Sequence, residues 1–143
     1  MKRFFDNKNI ATLLLRIGIG LPFILIYGLM KMEGGAMMWE QIGGTMTNFG
    51  IKFAPVVWGF VASLTEFGGG ILILLGLFTR TAALFLSINM LVAAIQHFSM
   101  HDQWYNSVLP LELMSVFLAL LLIGAGKYSL DHFFFGRRKL NNS

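Results

Sequence analysis

Apolar residues run through this chain in four long blocks, broken only by short polar stretches. The blocks cover about residues 10–30, 54–78, 81–98 and 108–126, each close to the ~20 residues a helix needs to cross a bilayer. No block alternates with period two, so helices, not a barrel, are expected to satisfy the backbone in lipid. Thr79-Arg80-Thr81 reads as a very short turn between the second and third spans. Asn106 and Ser107 are cap candidates for the fourth, with Pro110 in its first turn, where a missing N–H does no harm. The first block is too long for a cleaved signal peptide, and no small-x-small site follows it.

The connection from Lys31 to Phe53 is the only sizeable one. Met38, Ile42, Met46 and Phe49 recur there at helical spacing with Trp39 beside them, which predicts a short amphipathic helix at the outer interface. Such a helix can simply lie on the membrane or can lid the bundle. After the fourth span, Ser129-Leu130-Asp131 reads as a helix cap, and the aromatics of His132-Phe133-Phe134-Phe135 are expected in the inner interface.

Composition agrees with lipid as the solvent. The chain is 56% hydrophobic and 13% charged, against roughly 45–50% and 25% in soluble domains. At 143 residues it is one membrane domain, residues 1–143. It has no cysteine, hence no disulfide or thiol chemistry. A net charge of +4 reads as attraction to anionic lipid head groups, with no nucleic acid partner implied. Lys2, Arg3 and Lys8 precede the first span, Arg80 sits in the second turn, and Lys127, Arg137, Arg138 and Lys139 follow the fourth. The other face has only Lys31 and Lys52. The positive-inside rule then puts both termini in the cytoplasm.

The chemistry is expected in the polar residues inside the spans, because such groups turn away from lipid. Helical spacing puts Arg16, Gly20, Tyr27 and Lys31 on one face of span one, and Gly59, Ser63, Glu66 and Gly70 on one face of span two. Asn89, Ala93 and Gln96 or His97 do so in span three, and Glu112, Ser115 and Ala119 in span four. Four such stripes facing inward give an all-α four-helix bundle with a polar seam. Glu66 lies about 18 Å from either end of its span and Asn89 about 13 Å below the outer end of its own, so the two are expected to meet near the bilayer centre. A carboxyl at that depth must be paired, protonated or used. Lys31, His97 and Glu112 are expected to converge nearer the outer face, where they can pair or carry a proton. Candidate catalytic residues are therefore Glu66, His97 and Glu112. Candidate ligand-binding residues are Arg16, Tyr27, Lys31, Asn89 and Gln96. For Arg16 the alternative is a side chain snorkelling to the inner interface. His101 and Asp102 read as loop residues, no spacing fixes a metal site, and the nine methionines read as packing. No G-x-G-x-x-G, P-loop, H-E-x-x-H or G-x-S-x-G motif occurs.

Several segments together resemble the DoxX family of small bacterial membrane proteins, from Leu13 to Asp131. They are Leu15-Arg16-Ile17-Gly18, Tyr27-Gly28-Leu29-Met30-Lys31, Glu66-Phe67-Gly68-Gly69-Gly70, Leu75-Gly76-Leu77-Phe78-Thr79-Arg80-Thr81-Ala82-Ala83, Met90-Leu91-Val92-Ala93 through His97, and Gly124-Ala125-Gly126-Lys127-Tyr128-Ser129-Leu130-Asp131. Tyr27 stands where many members have His. The resemblance implies four helices in the bacterial inner membrane, often with a short element in the first outer loop. It also implies an association with membrane oxidoreductases, with quinone as a possible cofactor and a redox enzyme as a possible partner. Three classes of function stay open: a quinone-interacting oxidoreductase subunit, a small proton-coupled permease using Glu66 and Glu112, and a non-catalytic membrane anchor for a redox enzyme. Four helices are few for a permease unless the chain forms a homo-oligomer.

Overall fold

A computed structural model describes residues 7–100 and 103–136. Lys2, Arg3, His101, Asp102, Arg137, Arg138 and Lys139 lie outside the described residues. Four helical spans cross: Asn7–Glu33, Pro55–Leu75, Thr79–Ser99 and Trp104–Ile123. The chain is an all-α membrane protein, a four-helix bundle.

Span one is composite. Helix α1 (Asn7–Pro22) passes into a π-helical turn (Phe23–Gly28) and then α2 (Leu29–Glu33). Pro22 sits at the junction, where its missing N–H relaxes the helical ladder. A π turn rotates everything beyond it relative to a straight helix. The buried positions accordingly run Thr12, Arg16, Gly20, Phe23, Gly28. Tyr27, expected on the inward stripe, is displaced by Gly28, which lies against the backbone of Phe67.

Helix α3 (Gly35–Gly43) and a 3-10 turn (Gly44–Phe49) form the outer connection. α3 is held by the bundle itself. It packs along α4 (Pro55–Leu75) through two glycines: a Cβ on Gly43 would collide with the carbonyl of Pro55, and one on Gly59 with the carbonyl of Trp39. Small residues let helix backbones approach this closely. Trp39 adds an Nε1–H bond to the Lys31 carbonyl (2.9 Å) and an edge contact with Phe60. The lid reading of the amphipathic helix is therefore the correct one.

α4 ends in a left-handed Gly76 (φ 68°), with Leu77 N–H bonded back to the Leu72 carbonyl at 2.9 Å. The turn into α5 (Thr79–Ser99) is thus residues 76–78, three positions before the one expected. A 3-10 turn (Trp104–Ser107) leads into α6 (Val108–Ile123). Ser107 stands at the N-cap position, but its hydroxyl makes no cap bond; the 3-10 turn replaces the expected cap. At the end, α7 (Leu130–Phe135) is capped as expected, with Ser129 Oγ accepting from His132 N–H.

α4 is the centre of the bundle, touching span one, α3 and α5, while α6 packs on α5. Phe23 meets Phe117 of α6 edge-on (centroids 5.0 Å), closing the ring around Ile73, Leu86 and Leu120. The orientation read from Lys and Arg gives the first prediction. Single cysteines placed at Thr47 and Asn106 should react with an impermeant thiol reagent added outside intact cells, and those at Asn7 and Asn142 should not. Labelling of all four, or of the termini alone, contradicts cytoplasmic ends.

Candidate functional site

The inner end of the bundle is a clasp. Arg16 is 2% exposed, and its guanidinium donates four bonds. Nε reaches the Ile73 carbonyl (2.9 Å) and Nη2 that of Leu74 (2.8 Å), while Nη1 reaches Ala125 (2.9 Å) and Tyr128 (2.7 Å). The first two are carbonyls of the last turn of α4, where the helix dipole favours a cation. Gly76 must lack a Cβ, since one would strike that guanidinium. Asp131 mirrors the arrangement at the start of α5, accepting from Phe78 N–H (2.7 Å) and Thr79 N–H (3.0 Å). Arg16 is therefore turned into the protein and does not snorkel to the inner interface. Four of its five N–H donors are taken by carbonyls joining α1, α4 and the segment after α6.

The outer half holds a different arrangement. Lys31 Nζ bridges both carboxylate oxygens of Glu66, at 2.7 and 2.6 Å. Asn89 Nδ2 donates to Glu66 Oε1 at 2.9 Å. Glu66 is 2% exposed and about 16 Å below Pro55 at 1.5 Å per residue, so the pair sits near mid-membrane. Burial of a carboxylate at that depth is offset by the ammonium and the amide together.

These three residues form the floor of a cavity of about 320 Å³ between α4 and α5, roofed by α3 and its 3-10 turn. Gln96 and His97 line it higher on α5. Asn48 of the roof donates to Gln96 Oε1, latching the roof to α5. The rest of the lining is mostly apolar, including Ala62, Ile88 and Val92. Val61, Phe85 and Ile88 line the cavity and are also exposed on the bundle surface. Its side therefore faces the lipid between α4 and α5. Trp58 contributes an indole Nε1–H that is buried and, among the described residues, has no hydrogen-bond partner.

The structure thus brings five predicted residues together: Lys31, Glu66, Asn89, Gln96 and His97. Three others stand elsewhere. Arg16 is in the inner clasp. Tyr27, half-buried, packs on Phe23 (centroids 5.2 Å) at the margin of the core. Glu112 is exposed on the outside of α6, and the expected convergence of Lys31, His97 and Glu112 does not form because Lys31 reaches down to Glu66. Sequence reasoning missed Trp58. The signal for Trp58 was its place two helical repeats above Glu66, at i, i+4 and i+8 with Ala62.

Comparisons with known proteins agree with this architecture. The DoxX family model matches residues 11–102. The chain is 35% identical over 99 residues to "Inner membrane protein YqjF" of Escherichia coli (strain K12), covering 65% of this chain and 76% of that one. It is 30% identical over 138 residues to "Putative oxidoreductase CatD" of Bacillus subtilis (strain 168), covering 95% of this chain and 97% of that one. No solved structure matches the chain. The matched segment runs from the inner clasp at Arg16 through the whole Lys31–Glu66–Asn89 cavity, and the chain belongs to the DoxX family.

Proposed function

We propose that the chain is a quinone-binding subunit of a redox assembly in the bacterial inner membrane. The observation that carries this reading is the cavity at mid-membrane: apolar walls, a side facing lipid, and a floor made of an ammonium–carboxylate pair. A quinone head is a flat apolar ring with two carbonyl acceptors, and its isoprenoid tail belongs in lipid. The fit to this chain's own residues is good. The unpartnered Nε1–H of Trp58 is a buried donor in want of an acceptor. Asn89 and Gln96 add amides, and a volume near 320 Å³ falls at the low end of small-molecule pockets. The printed names of the two relatives, "Inner membrane protein" and "Putative oxidoreductase", are in keeping with this reading.

A bound quinone would supply two-electron, two-proton chemistry. The protein's share is binding and proton handling. Trp58 orients an acceptor oxygen. Lys31 Nζ and Glu66 Oε1 and Oε2 hold a proton between them at hydrogen-bond distance, while Asn89 fixes the carboxylate's orientation. His97, higher on the same helix, is placed to exchange protons toward the outer face. The electrons come from a partner enzyme in this reading.

The test is quantitation of quinone co-purified with the protein in nanodiscs drawn from native membranes. Wild type is expected to carry it. Glu66→Gln and Trp58→Phe are each expected to reduce the amount about tenfold, the effect of losing one good hydrogen bond, with helicity unchanged. Equal amounts in wild type, both variants and an unrelated four-span protein would refute the proposal.

A further inference from the structure

The outer face of α6 carries a polar residue where lipid should be. Trp104 and Tyr105, both largely exposed, mark the outer interface. Glu112 lies about 14 Å below Trp104 and about 16 Å above Ile123, allowing 2.0 Å per residue in the 3-10 turn and 1.5 Å in the helix. That is close to the bilayer centre. Its side chain is exposed, and among the described residues it has no hydrogen-bond or ion-pair partner. Ionisable groups at such depth are expensive when they face lipid.

The surroundings of Glu112 are patterned. Glu112, Ser115, Ala119 and Leu122 follow one another at spacings of three, four and three, all exposed except Ala119, which is half-buried. Those are the a and d positions of a seam between two helices, with the exposed Leu111 and Leu118 flanking it. The opposite face, with Pro110, Phe117 and Leu120, is the one buried in the bundle. Leucines alone prefer a protein neighbour to lipid only weakly, so the polar residues must supply the drive to associate.

We propose that a second copy of this chain docks on this face, with the two-fold axis along the bilayer normal. Two copies inserted in the same orientation have parallel α6 helices, so identical residues lie at identical depths. Glu112 of each copy then arrives level with Glu112 and close to Ser115 of the other. Two carboxyl groups in contact share one proton, the acid O–H donating to the carboxylate. The face is therefore self-complementary without any basic residue. None of the described lysines and arginines can play that part within one contact: Lys31 is bound to Glu66, Arg16 is held in the inner clasp, and Lys8, Lys52, Arg80 and Lys127 lie at or beyond the ends of the spans. The seam is remote from the cavity walls on α4 and α5 and stands whether or not quinone is the ligand.

The absence of cysteine makes the test clean. Single substitutions Ser115→Cys, Ala119→Cys and Leu122→Cys are oxidised in native membranes, with Phe85→Cys on the opposite lipid face as control. Disulfide-linked dimers are expected from the first three and not from the control. Energy transfer between fluorescently labelled copies in dilute vesicles gives the association constant. Glu112→Gln should keep it within a few-fold, since amides also hydrogen-bond each other, and Glu112→Leu should weaken it tenfold or more. Absence of cross-links along the seam, equal cross-linking at Phe85→Cys, or unchanged association in Glu112→Leu would each overturn the proposal. So would a seam covered by a different protein, seen as a cross-link to a heavier partner with none between copies.

Discussion

Arg16→Ala should leave a chain that hardly folds, and Arg16→Lys should recover little of the loss. The guanidinium ties α1, the end of α4 and the segment after α6 together, through four carbonyls. Removing it takes a donor from each of those carbonyls, of which Ile73 keeps the Gly76 N–H, and strips Asp131 of a nearby positive charge. Breaking a buried charged arrangement from one side costs about 3–5 kcal/mol, a large part of a total stability of about 5–15 kcal/mol. Lysine carries a compact ammonium with three donors and cannot span two backbone ends as the planar fork does. The temperature at which detergent-solubilised protein stops eluting as a single species measures the effect. An Arg16→Ala variant melting within about two degrees of wild type would contradict the clasp.

The second large effect is a cycle at the cavity floor. Lys31→Met leaves the Glu66 carboxylate buried with only Asn89 for company and should destabilise by roughly 3–5 kcal/mol. Glu66→Gln should cost less, because the Lys31 side chain is 27% exposed and its amine can swing toward the outer face. The double variant Lys31→Met with Glu66→Gln should fold better than Lys31→Met alone, since no uncompensated charge remains. It should nevertheless lack quinone. Stability rescued without binding assigns the pair to ligand and proton handling as well as to packing. A double variant no more stable than Lys31→Met would show that the two residues do not act on each other.

The spans were legible because hydropathy over twenty residues is a strong signal in lipid. The inward stripe of α4 was legible for a second reason. A regular helix keeps its phase, so Gly59, Ser63, Glu66 and Gly70 are all buried as their spacing requires. Span one broke that logic at its π turn, which put Gly28 where a regular helix would put Tyr27. Depth counted from span ends misplaced Lys31. The chain bends at Gly34 and the left-handed Gly35, and α3 stacks above, so Lys31 sits lower than the end of an outer span would. Glu112 was assigned inward because inward is the rule for charge in one chain alone, and a second chain escapes that rule. The acceptors of Arg16 lie 57 to 112 residues away, beyond the reach of local spacing. The segments that resembled the family sort by position: those around Arg16, Phe78 and Asp131 build the clasp, and those around Lys31, Glu66 and His97 build the cavity.

Photoaffinity mapping tests the central claim most directly. A short-tailed azido-quinone is irradiated with the protein in nanodiscs, and the labelled peptides are identified by mass spectrometry. The account predicts adducts on residues 58–66 of α4 and 85–97 of α5, suppressed by excess unlabelled quinone and absent in the Lys31→Met, Glu66→Gln double variant. Labelling spread over the lipid-facing residues of all four spans, unchanged by competitor or by the double substitution, would contradict it.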